Sequence, residues 1–433
     1  MINNRRWSRL GSRLRPAWRR ILAPAGLLGI YLSFSAPAPA QPGKSSGDVQ
    51  APSSIRPDGV TPPGGPVPVP LPNLVTAISA GTYYTCALVL KMPANIFNPV
   101  QFVECWGDNR SGQLGDGTTM NRYSPTQVHG VGGFVTQISA GSSYTCALLS
   151  TKTVECWGDD SVDELGDNLM ISRTYPAAVP GLFGPSVIAS GLDHVCAMEF
   201  FGEAQCWGAH AVELANATAT SPSGPVWASL NGASFIASGP VSFHTCAVMQ
   251  VGTVSCWGAN QFGQLGVAVS QPQVMPVTVP GVTGAISVAT GLDHTCALTS
   301  NLGVMCWGDD SFGQLGDGAP TGTKQAVSVS GLTGAIAIAE GANHSCALMS
   351  NGSVMCWGAN FMGQLGDGTS QNRSLPVPVP GVSGATAITA GANHTCALLS
   401  SGEVMCWGAN NFGQLGDGTT VSPLTPVQVQ GPF

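Results

Sequence analysis

Fourteen cysteines form seven pairs in this sequence, and from the second pair onward the pairs recur every 50 residues. The pairs are Cys86 with Cys105, Cys146 with Cys156, Cys196 with Cys206, Cys246 with Cys256, Cys296 with Cys306, Cys346 with Cys356 and Cys396 with Cys406. In every pair the second cysteine begins a Cys-Trp-Gly triplet. One short unit is therefore repeated seven times, and such a unit can bury its apolar side chains only against its neighbours.

The last copy shows what each unit contains. Its segments 385–391, 394–399, 403–408 and 426–430 have the composition and length of short strands, and a glycine-rich loop precedes the fourth. Four short strands in each copy are typical of a β-propeller blade. We therefore predict an all-β fold over residues 71–433, a seven-bladed β-propeller with four-stranded blades.

The cysteine spacing predicts the pairing of the second and third strands. If Cys396 faces Cys406, Leu399 lies opposite Glu403, and the three-residue turn between them ends in Gly402, which suits the left-handed conformation needed there. Copies two and five have Lys152 and Leu302 at that place, so we expect local strain or a shifted turn. Facing cysteines can form disulfides, so we predict seven bonds, one in each blade. Buried free thiols are the alternative.

The first 40 residues have a different character. Seven arginines precede an apolar run from Ile21 to about Phe34, and small residues follow as far as Ala40. This order predicts a secretory signal peptide over residues 1–40. A membrane anchor is the alternative, although about 14 apolar residues fall short of the roughly 20 that span a bilayer. We expect a secreted, periplasmic or cell-surface protein, where disulfides persist.

The remaining composition restricts the class of partner. Residues 41–70 are rich in Pro, Ser and Gly and are predicted to be a disordered linker. Without the signal peptide the chain has nine basic and 23 acidic residues, a net charge of −14. Binding to nucleic acid or to anionic lipid depends on clustered Lys and Arg. We therefore expect no nucleic-acid partner and no stable membrane insertion after cleavage.

Three copies depart from the common pattern. Copy one has nine extra residues, Lys91 to Pro99, between its cysteines, and we predict that Ile96, Phe97 and Asn98 on this hairpin contact a partner. Packing against a neighbouring blade is the alternative. Copies two and three lose the glycines of the loop after Cys-Trp-Gly, and copy two becomes the most acidic. A solvated acidic face is the first interpretation of that loop, and a site for a cation or a basic partner is the second.

The recurring string Ala-Gly-x-x-His-Thr-Cys-Ala-Leu, followed by Gly-x-Val-x-Cys-Trp-Gly-x-Asn-x-x-Gly-Gln-Leu-Gly-Asp-Gly, is clearest in residues 341–368 and 391–418. It resembles the repeats of the regulator of chromosome condensation family. The resemblance implies a seven-bladed propeller whose two chain ends share one blade. Residues 426–430 could supply the closing strand, and residues 66–70 are a weaker candidate because their prolines cannot donate ladder hydrogen bonds.

The resemblance also implies a function, which the rest of the chain does not favour. The founding member of that family is a nuclear exchange factor for a small GTPase. An exported acidic protein would not meet that partner, and no residues match an exchange site. A family of secreted bacterial β-lactamase inhibitors with a related seven-bladed fold is similar in fold and location only.

Residues that suggest catalysis or metal binding have simpler roles. Histidines recur two residues before the first cysteine, at His194, His244, His294, His344 and His394, with Tyr84 and Tyr144 in copies one and two. One histidine per blade is too widely spaced to share a metal ion, so we predict hydrogen bonds between blades. The seven Cys-Trp-Gly tryptophans are predicted to pack in the core.

The loop aspartates, namely Asp116, Asp317, Asp367 and Asp417, lie in glycine-rich turns, where aspartate bonds its own backbone. Calcium binding is the alternative at these positions. We predict no catalytic, cofactor-binding or metal-binding residue. The expected function is a secreted, disulfide-stabilised, monomeric scaffold that binds a protein or a surface glycan. Exchange-factor activity, enzyme inhibition and glycan processing are the alternatives.

Overall fold

The computed structural model describes residues 73–91, 100–209, 223–319 and 322–431. Within these ranges the chain forms β-strands and a single 3₁₀ turn, Phe200–Gly202. The strands are β1 (Leu74–Ala80), β2 (Tyr84–Lys91), β3 (Val100–Gly107), β4 (Arg122–Gln127), β5 (Val135–Ala140), β6 (Tyr144–Leu149), β7 (Val154–Gly158), β8 (Arg173–Ala178), β9 (Val187–Ser190), β10 (His194–Met198), β11 (Ala204–Gly208), β12 (Ser223–Trp227), β13 (Ala233–Ala237), β14 (His244–Met249), β15 (Val254–Gly258), β16 (Gln273–Thr278), β17 (Ala285–Thr290), β18 (His294–Thr299), β19 (Val304–Gly308), β20 (Thr323–Ser328), β21 (Ala335–Glu340), β22 (His344–Met349), β23 (Val354–Gly358), β24 (Arg373–Pro378), β25 (Ala385–Ala390), β26 (His394–Leu399), β27 (Val404–Gly408) and β28 (Val427–Gln428). No helix in the described ranges has the length and apolarity needed to cross a membrane.

The strands form seven antiparallel sheets of four, and each sheet takes four consecutive strands from the chain. We call these sheets blades one to seven, in chain order. The first strand of each blade contacts the first strands of the neighbouring blades, and β1 contacts β25, so the seven innermost strands close a ring. The predicted seven-bladed β-propeller with four-stranded blades is confirmed.

The two chain ends do not share a blade in the described residues, so that expectation is wrong. The first described strand, β1, is the innermost strand of blade one, and β28 is the outermost strand of blade seven. In β28, Val427 pairs with Cys406 and Gln428 pairs with Met405. Because every blade is completed by its own four strands, contacts between complete blades close the ring. The linker and signal segments, including the alternative closing strand at residues 66–70, lie outside the described residues.

All seven cysteine pairs lie directly opposite each other on the second and third strands of their blades and form disulfides. Their Cα atoms are 4.1 Å apart in every pair. The bonds join Cys86 to Cys105, Cys146 to Cys156, Cys196 to Cys206, Cys246 to Cys256, Cys296 to Cys306, Cys346 to Cys356 and Cys396 to Cys406. The described residues contain no free cysteine. The predicted pairing within each blade is therefore present in full, and the alternative of buried thiols is not.

The hairpin turns next to the disulfides of blades two, four, five, six and seven keep one backbone conformation. The turn glycines Gly252, Gly352 and Gly402 have positive φ angles, as the three-residue turn requires. Lys152 and Leu302 adopt the same left-handed conformation, with φ of 67° and 64°. The turns of blades two and five are therefore strained in place and not shifted.

The hydrophobic core is divided among the spaces between neighbouring blades. The cluster between blades four and five, for example, combines Val248, Cys256 and Leu265 with Val288 and Trp307 of the next blade. An equivalent cluster joins blade seven to blade one, where Trp106 packs among residues from the last blade. Because each blade is covered on both faces, side chains pointing either way from its middle strands are buried.

Candidate binding surface

The propeller has two faces that the strand order distinguishes. In each antiparallel blade, the connection from the first to the second strand and the connection from the third to the fourth strand lie at the same end of the strands. We call this end the loop face. The hairpins between the second and third strands and the links between blades lie at the other end, which we call the hairpin face. The strand ends Lys91 and Val100 of copy one therefore lie on the hairpin face, and the glycine-rich loops lie on the loop face.

The predicted contact residues Ile96, Phe97 and Asn98 lie outside the described residues. The ladder of blade one is longer than in the other blades and continues to the pair Lys91 and Val100. The cysteine pair of this blade, Cys86 and Cys105, keeps its register in spite of the insertion.

Four exposed aromatic side chains gather on the hairpin face at blade three. We call Phe183, Phe200, Phe201 and Trp227 the blade-three patch. Phe183 follows β8 in the link to blade three, and Trp227 ends β12. Their rings are stacked with centroids 6.0 Å apart. Exposed apolar clusters of this kind mark binding sites more often than scattered apolar residues do.

Phe201 is the most exposed member of the patch, at 88%, and its φ is +65°. A bulky residue seldom adopts this left-handed conformation, which costs about 1–2 kcal/mol for a residue with a Cβ atom. The turn of blade three has two consecutive left-handed residues, because Gly202 follows with φ of +76°. In blade seven the corresponding residues Ser400 and Ser401 precede Gly402 and only the glycine is left-handed. The chain thus holds a large aromatic ring in solvent at an energetic cost.

A buried carboxyl group lies beneath the patch. Glu199 follows β10 directly, and its Oε1 accepts a hydrogen bond of 3.2 Å from the backbone N–H of Phe183. Burial raises the pKa of Glu199. This bond connects the hairpin of Phe200 and Phe201 to the link that presents Phe183, so the two halves of the patch are held together.

The loop face carries aromatic residues of a different kind. Phe312 of blade five lies edge-on against Phe361 of blade six, with centroids 5.5 Å apart. Phe412 of blade seven contacts Tyr83 of blade one, and the guanidinium of Arg110 lies 4.7 Å from the centre of the Phe412 ring. These rings pack on one another across blade boundaries, which explains their presence without a partner.

The five histidines connect successive blades, as predicted. Each Nε2 is hydrogen-bonded to the hydroxyl that precedes the first cysteine of the next blade. The pairs are His194 with Thr245 at 2.7 Å, His244 with Thr295 at 2.7 Å, His294 with Ser345 at 3.1 Å, His344 with Thr395 at 2.9 Å and His394 with Thr85 at 3.0 Å. Tyr84 and Tyr144 replace the histidine in blades one and two and hydrogen-bond backbone carbonyls of the next blade, those of Tyr144 and His194 respectively.

The geometry of this ring of contacts also determines the histidine tautomer. The hydroxyl of Thr295 donates to the carbonyl of Gln264, at 2.7 Å, so it can only accept from His244. Nε2 of His244 therefore carries a proton. Burial lowers the pKa of His244, His344 and His394 to about 3, which keeps them uncharged near neutral pH.

The tryptophans fill the core and also donate hydrogen bonds between blades. The sequence interpretation did not predict these hydrogen bonds. Trp407 donates its indole N–H to the carbonyl of Gln364 in the preceding blade, at 2.9 Å. The same 2.9 Å bond joins five further pairs, namely Trp106 to Gln414, Trp157 to Gln113, Trp207 to Glu164, Trp307 to Gln264 and Trp357 to Gln314. The glutamine of the Gly-Gln-Leu-Gly loop is therefore an attachment point between blades.

His294, Cys296 and Glu340 lie close enough together to suggest a metal site. Cys296 is bonded to Cys306, so its sulfur cannot act as a thiolate ligand. The Nε2 atom of His294 lies 3.1 Å from Oε2 of Glu340 and 3.1 Å from the hydroxyl of Ser345. These contacts make the group part of the junction between blades five and six.

Two models of the regulator of chromosome condensation (RCC1) repeat match this chain. One matches residues 135–162, 236–264, 285–314, 335–364 and 385–414, and the other matches residues 105–148, 252–298, 351–398 and 401–433. Together the matched segments include more than half of the sequence. The segments fall in six of the seven blades and leave residues 163–235 and 315–334 between them, so the departures of copy three lie in the longer of these two gaps.

Named relatives match over about a third of the chain. The ultraviolet-B receptor UVR8 of Arabidopsis thaliana is 31% identical over 141 residues, which are 32% of this chain and 30% of that protein. The mitochondrial RCC1 domain-containing protein RUG3 of the same plant is 31% identical over 137 residues, 31% of this chain and 29% of the relative. The alignments therefore span less than a third of the length of either relative.

Solved structures share the fold. Yeast RCC1 (Prp20), in a crystal structure with Kap60 bound to it, superposes with a TM-score of 0.67 at 21% identity, over 76% of this chain and 83% of that chain. Human WBSCR16 superposes with a TM-score of 0.68 at 21% identity, over 76% and 94% of the two chains. At these identities the likeness concerns the propeller fold alone.

Proposed function

Because the chain belongs to the regulator of chromosome condensation (RCC1) repeat family, we propose that it is a binding scaffold whose partner is a protein. Yeast RCC1 has been crystallised with Kap60 bound to it. The binding of the yeast protein Prp20p to Gsp1p and histones has been characterised together with its crystal structure. Protein binding is thus a property of structurally similar propellers. For this chain, the class of partner is inferred from the exposed residues and the charge of its own surface.

The observation that carries the proposal is the exposed, left-handed Phe201. A strained residue persists only where the surrounding structure compensates for it, and such residues are concentrated at functional positions. Here the strain displays an aromatic ring next to Phe200 in the chain, on the face that also presents the stacked pair Phe183 and Trp227. Aromatic residues are the typical anchors of protein interfaces because they bury a large area with few rotatable bonds.

The charge of the propeller defines the partner further. Residues 71–433 include 21 acidic and seven basic residues. A surface of this charge attracts a positively charged partner and repels an acidic one. We propose a protein partner that offers an apolar centre for the blade-three patch and a basic rim. Lys91 and Val100 lie on the same face, and residues 91–99 between them are proposed as a second contact.

The proposed location is outside the cytoplasm, in the medium, the periplasm or at the cell surface. Two features support it: the order of basic, apolar and small residues in segment 1–40, and seven disulfides in one chain. We propose a non-catalytic role, because all cysteines of the described chain are in disulfides and its interblade histidines are engaged in structural hydrogen bonds. An exchange-factor role would require a cytosolic protein, so cell fractionation separates the two. Detection in the cytoplasm alone would contradict our proposal.

Site-specific crosslinking tests the proposed surface. A photo-reactive residue at position 201 should crosslink one defined protein on its native cell or in its native medium. The same residue at position 251, an exposed hairpin tip of blade four on the same face, is the matched control. Equal crosslinking from both positions would argue against the patch.

Affinity for the crosslinked protein then separates binding from folding. Phe201→Asn removes the ring, while asparagine tolerates the left-handed conformation, so the fold should keep its stability. Loss of one aromatic anchor should weaken binding by about tenfold or more. Val251→Asn should leave the affinity within about twofold of the wild type. Unchanged affinity in Phe201→Asn would remove the patch from the proposed interface.

A further inference from the structure

Three carboxylates meet in the loop of blade two between β7 and β8. Asp160, Asp163 and Asp167 each place one carboxylate oxygen within 4.8 Å of the others. We call these residues the blade-two carboxylates. Asp160 and Asp163 are buried, and Asp167 is half-buried.

The same loop in blades one, four, six and seven contains an asparagine where blade two has Asp160, while blade five also has an aspartate there, Asp310. In blade six, Nδ2 of Asn360 donates to Oδ1 of Asp367 at 3.0 Å and to the carbonyl of Thr369 at 3.0 Å. Blades one and seven repeat the bond to the aspartate with Asn109 and Asn410. The amide N–H group is therefore the hydrogen-bond donor for the carboxylate of the loop aspartate. In blade two an acceptor takes the place of this donor.

The third carboxylate occupies a place that belongs to glycine elsewhere. The corresponding residues, all with positive φ, are Gly112, Gly263, Gly313, Gly363 and Gly413. Asp163 keeps the left-handed conformation, with φ of +64°, and is only 1% exposed. Its Oδ1 accepts a 2.7 Å hydrogen bond from the backbone N–H of Asn168. Among the described residues, no donor reaches its Oδ2.

A buried carboxylate oxygen without a partner is costly, since burial removes its water and nothing replaces it. The two carboxylate oxygens of Asp160 accept backbone hydrogen bonds, from Leu165 at 2.9 Å and from Ile171 at 2.8 Å. Those bonds orient the group, but they do not neutralise its charge.

One arginine lies at the cluster, and its positive charge compensates for the negative charge of one carboxylate. Arg173 forms an ion pair with Oδ2 of Asp167. Blades one and six contain the same ion pair, between Arg122 and Asp116 and between Arg373 and Asp367. The arginine thus belongs to the common loop design, and blade two has two additional negative charges without an additional cation.

We propose that Asp160, Asp163 and Asp167 bind a calcium ion. Oxygen ligands from carboxylates suit a hard divalent cation, and calcium accepts irregular coordination at 2.3–2.6 Å more readily than magnesium does. An ion among the three carboxylates would satisfy Oδ2 of Asp163 and compensate for the missing amide.

Calorimetric titration of the exported, disulfide-bonded protein with calcium chloride, after chelator treatment, tests the site. The wild type should bind one ion with a Kd of about 10⁻⁴–10⁻³ M, the range of extracellular calcium modules. Asp163→Gly and Asp160→Asn should each weaken calcium binding at least about tenfold. Magnesium should bind at least about tenfold more weakly than calcium.

The chain supplies its own controls for folding. Asp163→Gly introduces the residue that five other blades have, so this variant should fold at least as well as the wild type in chelator. Its melting temperature should no longer rise when calcium is added. Asp310→Asn changes the matching aspartate of blade five, where Gly313 replaces the third carboxylate, and should leave calcium affinity unchanged.

Two results would overturn the proposal. The first is the absence of saturable calcium binding by the wild type up to about 10 mM, ten times the weakest expected Kd. The second is unaltered calcium affinity in Asp163→Gly. A proton shared by the carboxylates in place of a metal ion would give stability that changes with pH and not with calcium, and that outcome also counts against the site.

Discussion

Nε2 of His394 lies 3.0 Å from Oγ1 of Thr85, and this hydrogen bond joins the last blade to the first across 309 positions of the sequence. Thr85 also donates to the carbonyl of Gln414, at 3.0 Å, and Trp106 donates to the same carbonyl at 2.9 Å. The closing junction therefore has the same bonds as an ordinary junction between blades. Backbone bonds add to the closure, since Ala392 N–H donates to the carbonyl of Thr82 at 3.2 Å and Gly418 N–H donates to that of Tyr123 at 2.9 Å. The ring is thus closed by contacts between complete blades, because no strand of one chain end enters the sheet of the other within the described residues.

Thr85→Val should open the ring at its closing junction. The substitution keeps the shape of the side chain but leaves Nε2 of His394 buried without its acceptor, which should lower the free energy of unfolding by about 1–3 kcal/mol. Hydrogen exchange should increase in the strands that flank the junction, β1, β2, β25 and β26. Thr295→Val, at the junction of blades four and five, is the control and should increase exchange there instead. Equal exchange patterns in the two variants would contradict a local role.

Acid should unfold the propeller mainly below about pH 4. Burial lowers the pKa of His244, His344 and His394 from 6.5 to about 3. Between these two pH values the unfolded chain binds more protons than the folded chain, so these histidines lower the stability of the fold as the pH falls. Each histidine contributes up to about 1.4 kcal/mol per pH unit.

Buried carboxyl groups oppose this loss at milder pH. Burial raises the pKa of Glu104 and Glu164 to about 7 and that of Asp293 to about 6, so these groups favour the folded state as pH falls toward 4. Below that pH these groups become protonated in both states, and the histidine effect remains. Asp116 and Asp367 add to it, because burial is outweighed by hydrogen bonds from Thr118 and Thr369, which lower the pKa of these two carboxyl groups. Chemical denaturation at stepped pH should therefore give a nearly level stability above about pH 4.5 and a steep decrease below it. A decrease that starts at pH 6.5 would contradict this balance.

Gly408→Ala should be far more damaging than Gly381→Ala. Both glycines have positive φ, of +102° and +82°. A Cβ at position 408 would lie 2.5 Å from the carbonyl oxygen of Asn393, whereas a Cβ at position 381 meets nothing within 4 Å. Gly381→Ala should lower the free energy of unfolding by about 1–2 kcal/mol, because of its backbone conformation alone. The additional loss in Gly408→Ala measures the steric contact with the carbonyl oxygen of Asn393. Thermal unfolding of the two variants side by side provides the comparison.

Reduction should increase the intact mass of the mature protein by about 14 Da, two hydrogens for each of seven bonds. Replacing Cys146 and Cys156 together with alanine should lower the free energy of unfolding by about 3 kcal/mol, because the bond closes a loop of about 11 residues. Mass spectrometry and denaturant titration provide the two measurements. Free thiols throughout the purified, unreduced protein would contradict the within-blade bonds.

Local features of the fold could be predicted because neighbouring residues determine them. The spacing of Cys396 and Cys406, together with Gly402 between them, predicts the strand pairing and the turn of blade seven, and both lie within one hairpin. The strain expected at Lys152 and Leu302 is observed for the same reason, since a three-residue turn needs a left-handed last residue whatever its side chain is.

The candidate sites could be predicted only in part. The acidic loop of blade two is visible in the sequence, but the burial of Asp163 and its unpartnered oxygen depend on how the loop folds back on itself. The blade-three patch combines Phe183 and Trp227, which come from a link and a strand 44 positions apart. An insertion such as residues 91–99 is visible along the chain, whereas a cluster formed in space is not.

The sequence by itself determined the number of blades, the strands in each blade, the cysteine register and the turns, because a short repeat encodes these through its nearest neighbours along the chain. The tertiary structure decided how the blades join: His394 to Thr85, Trp106 to Gln414, and complete blades at both chain ends. It also decided which faces present Phe201 and the blade-two carboxylates. These contacts connect residues whose positions become adjacent only when the ring closes, so their energies depend on geometry that no single copy contains.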